Sequence, residues 1–213
     1  MLLTKKVDIS KICGTFSILA VSHDLKQAGV AVASGSTHVG DRVPHAKPGV
    51  GVIATQAYTN VAYGTEGLKL MSKGYSPQET LEKLLMQDAE KNLRQVAIMN
   101  FEKKKAVFTG VDVPKESAEI IGENYIVIGN LLSSSKVVKA MADEFERTSE
   151  KALALRLLFA LKAGKESGGD KRGEKSAALI VVDREKVKIK VKVDFHENPL
   201  EALVKRLKAQ LKM

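Results

Sequence analysis

Strand-like and helix-like segments of this 213-residue chain come in blocks and do not alternate one for one. The run 15–21 (TFSILAV) reads as a strand, the residues after it as a turn, and 28–33 (AGVAVA) as a second strand, so 15–34 forms a hairpin. Residues 35–47 read as a loop and 49–55 (GVGVIAT) as a third, buried strand whose glycines imply close backbone approach. A helix is expected within 58–73. A second opens at Ser76-Pro77-Gln78-Glu79, a capping box with proline at the first helical position. Strands are expected at 93–101, 105–110 and 125–128, and helices at 135–147 and 150–163. A glycine-rich loop (164–173) precedes strands at 176–182 and 187–193, and a last helix begins at Asn198-Pro199. The lysines of VKIKVKV mark one wet face and discourage edge pairing. This order of strands, two helices, strands, two helices, strands, helix argues against a doubly wound parallel sheet and for antiparallel sheets covered by helices.

The totals suit one domain, with 44% hydrophobic residues to build its core. No apolar run approaches the roughly 18 residues of a membrane span. The opening MLLTKKVDISKICG is broken by charge and does not read as a secretory signal. Cys13 is the single cysteine, which excludes an internal disulfide and a multi-cysteine metal site and fits a reducing, cytoplasmic setting. The net charge of +9 raises a nucleic-acid partner. However, the lysines are scattered, tryptophan is lacking and aromatics are 5%, so no stacking platform is legible and no nucleic acid is expected. The histidines at 23, 38, 45 and 196 have no metal-ligand spacing, though His38 and His45 share a loop that could line a pocket. The stretch Gly35-Ser-Thr-His-Val-Gly40 lacks the Lys-Ser/Thr of a phosphate-binding loop. No cofactor and no metal are expected.

Several positions could carry chemistry. Thr15 heads the first strand directly after Gly14. A threonine hydroxyl is a weak nucleophile unless a base adjoins it. Cutting the bond before Thr15 would supply that base as a free amine, with an unperturbed pKa of roughly 7.7–8.0. Glycine at 14 lets the backbone bring the hydroxyl to the preceding carbonyl. Lys47, before the third strand, could lower local proton affinities or hold an oxyanion. The Ala57–Tyr58 amides, at an expected helix entry, could form an oxyanion hole; capping by Thr59 or Asn60 is the plainer use of that junction. Asp170 could orient an amine or lysine, or simply pair with Arg172 in a turn.

Thr15-Phe16-Ser17-Ile18, Gly29-Val30-Ala31-Val32-Ala33-Ser34, Arg42-Val43-Pro44, Pro48-Gly49-Val50-Gly51, Ala54-Thr55-Gln56-Ala57, Asn60, Ala62-Tyr63-Gly64, Gly129-Asn130-Leu131-Leu132 and Gly168-Gly169-Asp170 with Arg172-Gly173 stand in this order. Together with Ser176-Ala177-Ala178-Leu179, they resemble an uncharacterised prokaryotic family related to N-terminal-nucleophile (Ntn) hydrolases, a domain of unknown function. The resemblance covers about 15–205 and implies an α+β fold, a four-layer αββα sandwich of two antiparallel sheets as in proteasome subunits. Many members look as though they begin Met-Thr-Phe-Ser-Ile. Here residues 1–14 precede the threonine and resemble a propeptide, so 15–213 is expected to form the single domain.

The resemblance implies Thr15 as nucleophile, Lys47 at a proteasome-like separation from it, Ala57 and Tyr58 as oxyanion hole, and Asn130 and Asp170 supporting the amine. Ser17, Arg42, Gln56 and Asn60, within the matching motifs, are expected to contact substrate. The expected function is an amidohydrolase or peptidase that uses Thr15 once residues 1–14 leave, acting on a small-molecule or peptide amide, with copies of the same chain expected as partners in a homo-oligomer. A catalytically silent Ntn-fold protein that binds a small molecule or a protein is the alternative.

Overall fold

The computed structural model describes residues 14–211; of the expected propeptide, residues 1–13, Cys13 among them, lie outside the described residues. Ten strands form two antiparallel sheets among those residues. The larger holds β10 (Val187–Val193), β9 (Ser176–Val182), β2 (Ala28–Ser34), β1 (Thr15–Val21), β8 (Tyr125–Asn130) and β7 (Ala118–Ile121), in that order. The smaller holds β3 (Pro44–Lys47), β4 (Gly51–Ala57), β5 (Arg94–Asn100) and β6 (Lys105–Thr109). Helices α1 (Ala62–Ser72) and α2 (Pro77–Met86) accompany the smaller sheet; α3 (Lys136–Arg147), α4 (Leu153–Glu166) and α5 (Pro199–Leu211) accompany the larger.

Side-chain alternation along the strands builds the layers. Phe16, Ile18 and Ala20 of β1 pack with Met141, Phe145, Leu157 and Leu161 of α3 and α4, while Leu19 and Val21 face the other way and meet Val52, Ala54, Ala97 and Met99 of the second sheet. On the far side, Ile53, Val96 and Ile98 meet Leu68, Met71, Leu81 and Leu84 of α1 and α2. The result is the expected αββα order, held by three apolar layers in which each fully buried branched side chain contributes ~1.5–3 kcal/mol. Among the described residues no helix is long and apolar enough to cross a membrane.

The capping box forms as the sequence predicts. The Ser76 hydroxyl accepts from the Glu79 amide at 3.3 Å and the Ser76 amide donates to the Glu79 carboxylate at 2.8 Å. Two elements differ from expectation. β3 forms inside the expected loop 35–47 as a four-residue edge strand, where proline is tolerated. β7 is a second short edge strand that the sequence reading lacks. The first helix, Ala62–Ser72, lies within the expected 58–73; ahead of it the Tyr58 amide donates to Leu93 O at 3.1 Å, and the Asn60 side chain accepts from the Ala62 amide at 3.1 Å.

Candidate functional site

The inward-facing row of each strand is apolar along most of its length and becomes polar at one end of the sandwich. Thr15 and Ser17 on β1, Ser34 on β2, Gln56 on β4, Gln95 on β5, Asn130 on β8 and Ser176 on β9 all share the inward register, and all are fully buried. Antiparallel pairing gathers them, because Thr15 lies opposite both Ser34 and Asn130, Ser34 lies opposite Ser176, and Gln56 lies opposite Gln95.

Buried polar atoms must be bonded to one another here, and most are. The Ser17 hydroxyl donates to Gln56 Oε1 at 2.6 Å. The Gln56 amide nitrogen donates to the Thr15 carbonyl at 3.2 Å and to Gln95 Oε1 at 2.8 Å. Asn130 Nδ2 donates to the same Gln95 oxygen at 3.3 Å, which leaves Asn130 Oδ1 buried and without a hydrogen-bond partner. Gln95 Nε2 continues to Thr109 Oγ1 at 3.2 Å. Above this floor of amides, the Thr15 hydroxyl donates to Ser34 Oγ at 3.2 Å, and Ser34 Oγ donates to the Gly14 carbonyl at 2.6 Å.

Asp170 closes the cluster from the loop before β9. Its side chain is fully buried. Its Oδ2 accepts from the Gly35 amide at 2.7 Å and from the Arg172 guanidinium at 2.9 Å. Its Oδ1 accepts from the Arg172 amide at 2.9 Å and from Arg172 Nε at 3.1 Å. The Arg172 guanidinium also donates to the Gly14 carbonyl at 3.3 Å. A Cβ at position 14 would stand 2.5 Å from Asp170 Oδ2, so only glycine fits against that carboxylate.

Two non-glycine residues at the rim adopt left-handed backbone: Ala57 (φ 68°) ends β4 and Leu131 (φ 50°) follows β8. They pack together with Tyr58 and Val113. Such a conformation costs on the order of 1–2 kcal/mol per residue. At Leu131 it bends the chain away from the sheet, so that its carbonyl accepts from the Lys171 amide at 3.0 Å and Leu132 bridges to Asp170.

The structure thus brings together Gly14, Thr15, Ser17, Gln56, Asn130 and Asp170 among the residues expected from sequence. It places others elsewhere. Lys47 ends β3 opposite Gly51, whereas the site lies at the Ala57 end of β4, six residues and therefore ~20 Å along the strand. Its exposed ammonium donates to the Ser72 hydroxyl at 2.8 Å. Ala57 and Tyr58 do not open a helix, and the Tyr58 amide is committed to Leu93 O. Asn60 caps α1, and Arg42 donates to the Thr37 carbonyl at 2.8 Å and braces the 37–42 turn. His38 and His45 separate: His45 lies on β3 against Gly64 of α1, where burial holds its imidazole below the ordinary pKa despite a bond to the Arg42 carbonyl.

Ser34, Gln95 and Arg172 join the site without having been singled out for it, although Arg172 was expected to pair with Asp170. The signal for the first two was present: each is a polar residue in the inward register of an otherwise apolar strand.

The model of DUF1028, a family of unknown function, matches residues 15–203. The crystal structure of protein SPO2555 from Silicibacter pomeroyi, which carries the same family model, superposes with a TM-score of 0.85 at 30% identity, over 92% of this chain and 85% of that chain. Anbu, the ancestral beta-subunit from Yersinia bercovieri, aligns over 92% of this chain and 94% of its own, at 10% identity and a TM-score of 0.45. Comparison with curated proteins found no match.

Proposed function

The chain belongs to the DUF1028 family, and on that premise we propose that it is an amide-bond hydrolase of the N-terminal-nucleophile type, with Thr15 as nucleophile once residues 1–14 are removed. The observation that carries the reading is the position of Thr15: first residue of an interior strand, hydroxyl turned into a buried polar cluster between two sheets, preceded by a glycine pressed against Asp170. In the proposed reaction Thr15 Oγ attacks the substrate carbonyl. The new α-amine takes the hydroxyl proton and passes it to the leaving amine. Water then hydrolyses the acyl ester. Asn130 Oδ1, a buried acceptor on the strand beside Thr15, and the Asp170 carboxylate are proposed to hold the amine in place.

The substrate would be a small-molecule or peptide amide, and the protein would act in the cytoplasm as a homo-oligomer. Surface cations that alternate with acids, as in Lys139–Asp143, Lys171–Glu116 and Lys192–Asp41, support a reading without nucleic acid. Mass spectrometry of the purified intact chain tests the proposal. A species that begins at Thr15 is expected, and Thr15→Ala should remain full length. A folded wild-type chain that never loses residues 1–14 sinks the enzyme reading. That outcome would favour a silent binding protein of the same fold, a reading to which the double anchoring of the Gly14 carbonyl also lends itself.

A further inference from the structure

We propose that Ser34 and Arg172 form the oxyanion site for self-cleavage of the Gly14–Thr15 bond, with Ser34 also relaying the proton; this rests on the reading of Thr15 as nucleophile. A serine hydroxyl has one proton and two acceptor lone pairs. Ser34 Oγ accepts from the Thr15 hydroxyl at 3.2 Å and from the Ser36 amide at 3.1 Å, so both acceptor positions are filled. Its single proton goes to the Gly14 carbonyl oxygen, at 2.6 Å. The Arg172 guanidinium supplies a second, cationic donor to that oxygen at 3.3 Å and is itself clamped by Asp170. The carbonyl so held is the one that Thr15 must attack to cut the chain. Donors aimed in advance at an oxygen that gains charge are the main lever of acyl-transfer catalysis. The amide expected for this task from sequence, that of Tyr58, is bonded to Leu93 O instead.

The step balances without an added base. Thr15 Oγ bonds to the Gly14 carbonyl carbon and closes a five-membered ring. The carbonyl π pair moves to the Gly14 oxygen, which takes the Ser34 proton as Ser34 takes the proton of Thr15. Each serine lone pair and proton is thereby exchanged, and Ser34 ends neutral. When the ring opens, the oxygen's electron pair re-forms the carbonyl, the carbon–nitrogen bond breaks, and the Thr15 nitrogen takes up the proton that the oxygen releases. This leaves an ester between the Gly14 acyl group and Thr15 Oγ. Water hydrolyses the ester, releases residues 1–14 as a carboxylate, and restores the Thr15 hydroxyl beside a free amine.

The test is a time course of intact mass on the purified full-length chain and its variants, with circular dichroism to check folding. Loss of one oxyanion donor costs ~100-fold or more in rate. Ser34→Ala should therefore slow cleavage by about that factor, and Ser34→Thr, which keeps the hydroxyl, should restore most of it. Arg172→Gln should slow cleavage by a smaller factor, on the order of ten, because its donor is longer and its side chain is 39% exposed. Hydroxylamine, which attacks esters, should speed wild-type cleavage and leave Ser34→Ala unmoved, since slow formation of the ester, not its hydrolysis, limits the rate there. A folded Ser34→Ala that cuts at the wild-type rate, while Thr15→Ala stays whole, overturns the relay alone. A folded wild-type chain that does not cut overturns the reading of Thr15 and the relay with it. Should Ser34→Ala not fold, Arg172→Gln decides: an unchanged rate overturns the two-donor site.

Discussion

Asp170→Asn is the smallest change with a large expected effect. The carboxylate is fully buried and takes four N–H donors, two on each oxygen: the Arg172 amide and Nε on one, the Gly35 amide and the Arg172 guanidinium on the other. Asparagine has nearly the same shape but only one acceptor oxygen. Whichever way it turns, its NH2 group faces two N–H donors, so two bonds are lost and two donors are left without an acceptor. Bonds to a charged group contribute ~1.5–3 kcal/mol each when buried. Arg172 is partly exposed, so its share is screened towards the surface value. The expected loss is about 3 kcal/mol. In urea unfolding at neutral pH this lowers the midpoint by roughly 1 M, at a slope near 2–3 kcal/mol/M. A second effect follows, because Arg172 loses the anchor that aims it at the Gly14 carbonyl: cleavage before Thr15 should slow even where the variant is folded. A shift below ~0.5 kcal/mol, the range of ordinary surface substitutions, would refute the reasoning that the four bonds to this carboxylate are structural.

Gly14→Ala puts a methyl 2.5 Å from Asp170 Oδ2 and 2.8 Å from the Arg172 guanidinium, so overpacking of ~1–3 kcal/mol and slower cleavage are expected, read by thermal melt and intact mass. Lys47→Ala, by contrast, should leave cleavage unchanged and stability within ~0.5 kcal/mol, since its ammonium sits exposed on Ser72 at the other end of the sandwich. Asp88 contributes to acid stability. Burial alone would raise its carboxyl pKa, but the Arg94 guanidinium and the Glu90 amide outweigh burial and hold it at about 2. A depressed carboxylate pKa contributes stability that is complete above the unfolded value of ~4 and is lost as pH falls through the folded one. Acid titration followed by circular dichroism should therefore show about 2 kcal/mol disappearing between roughly pH 4 and pH 2, and Asp88→Asn should lack that step.

Most of the layer order was legible because strong alternation and helical stripes leave little choice of face, as in VKIKVKV or the Ser76 capping box. Edge strands β3 and β7 were not legible: four residues, one containing Pro44, hold too little pattern to stand out from a loop. The same omission explains Lys47. Its chain separation from Thr15 suggested proximity, but β3 runs antiparallel to β4 and starts near the site, so its last residue is carried away from it. What β3 leaves near the cluster is the segment before it, where the Val43 carbonyl accepts from the Thr55 amide at 3.1 Å. Gln56 and Asn130 were reached through motif likeness, yet a physical sign was available in each strand, a polar residue where alternation demands an inward apolar one.

That polar row also governs how the chain can fold. A β-ladder that slips by one residue sends every side chain to the opposite face. For β1, such a slip would press Thr15 and Ser17 into the layer of Met141 and Leu157, unbonded, and drive Phe16 among the buried amides of Gln56 and Gln95. The small, similar residues of AGVAVAS would by themselves discriminate weakly between neighbouring registers. The groups assembled for chemistry thus act as a vernier for the two sheets, and substitutions that make the row apolar should yield chains that still collapse but pair their strands ambiguously.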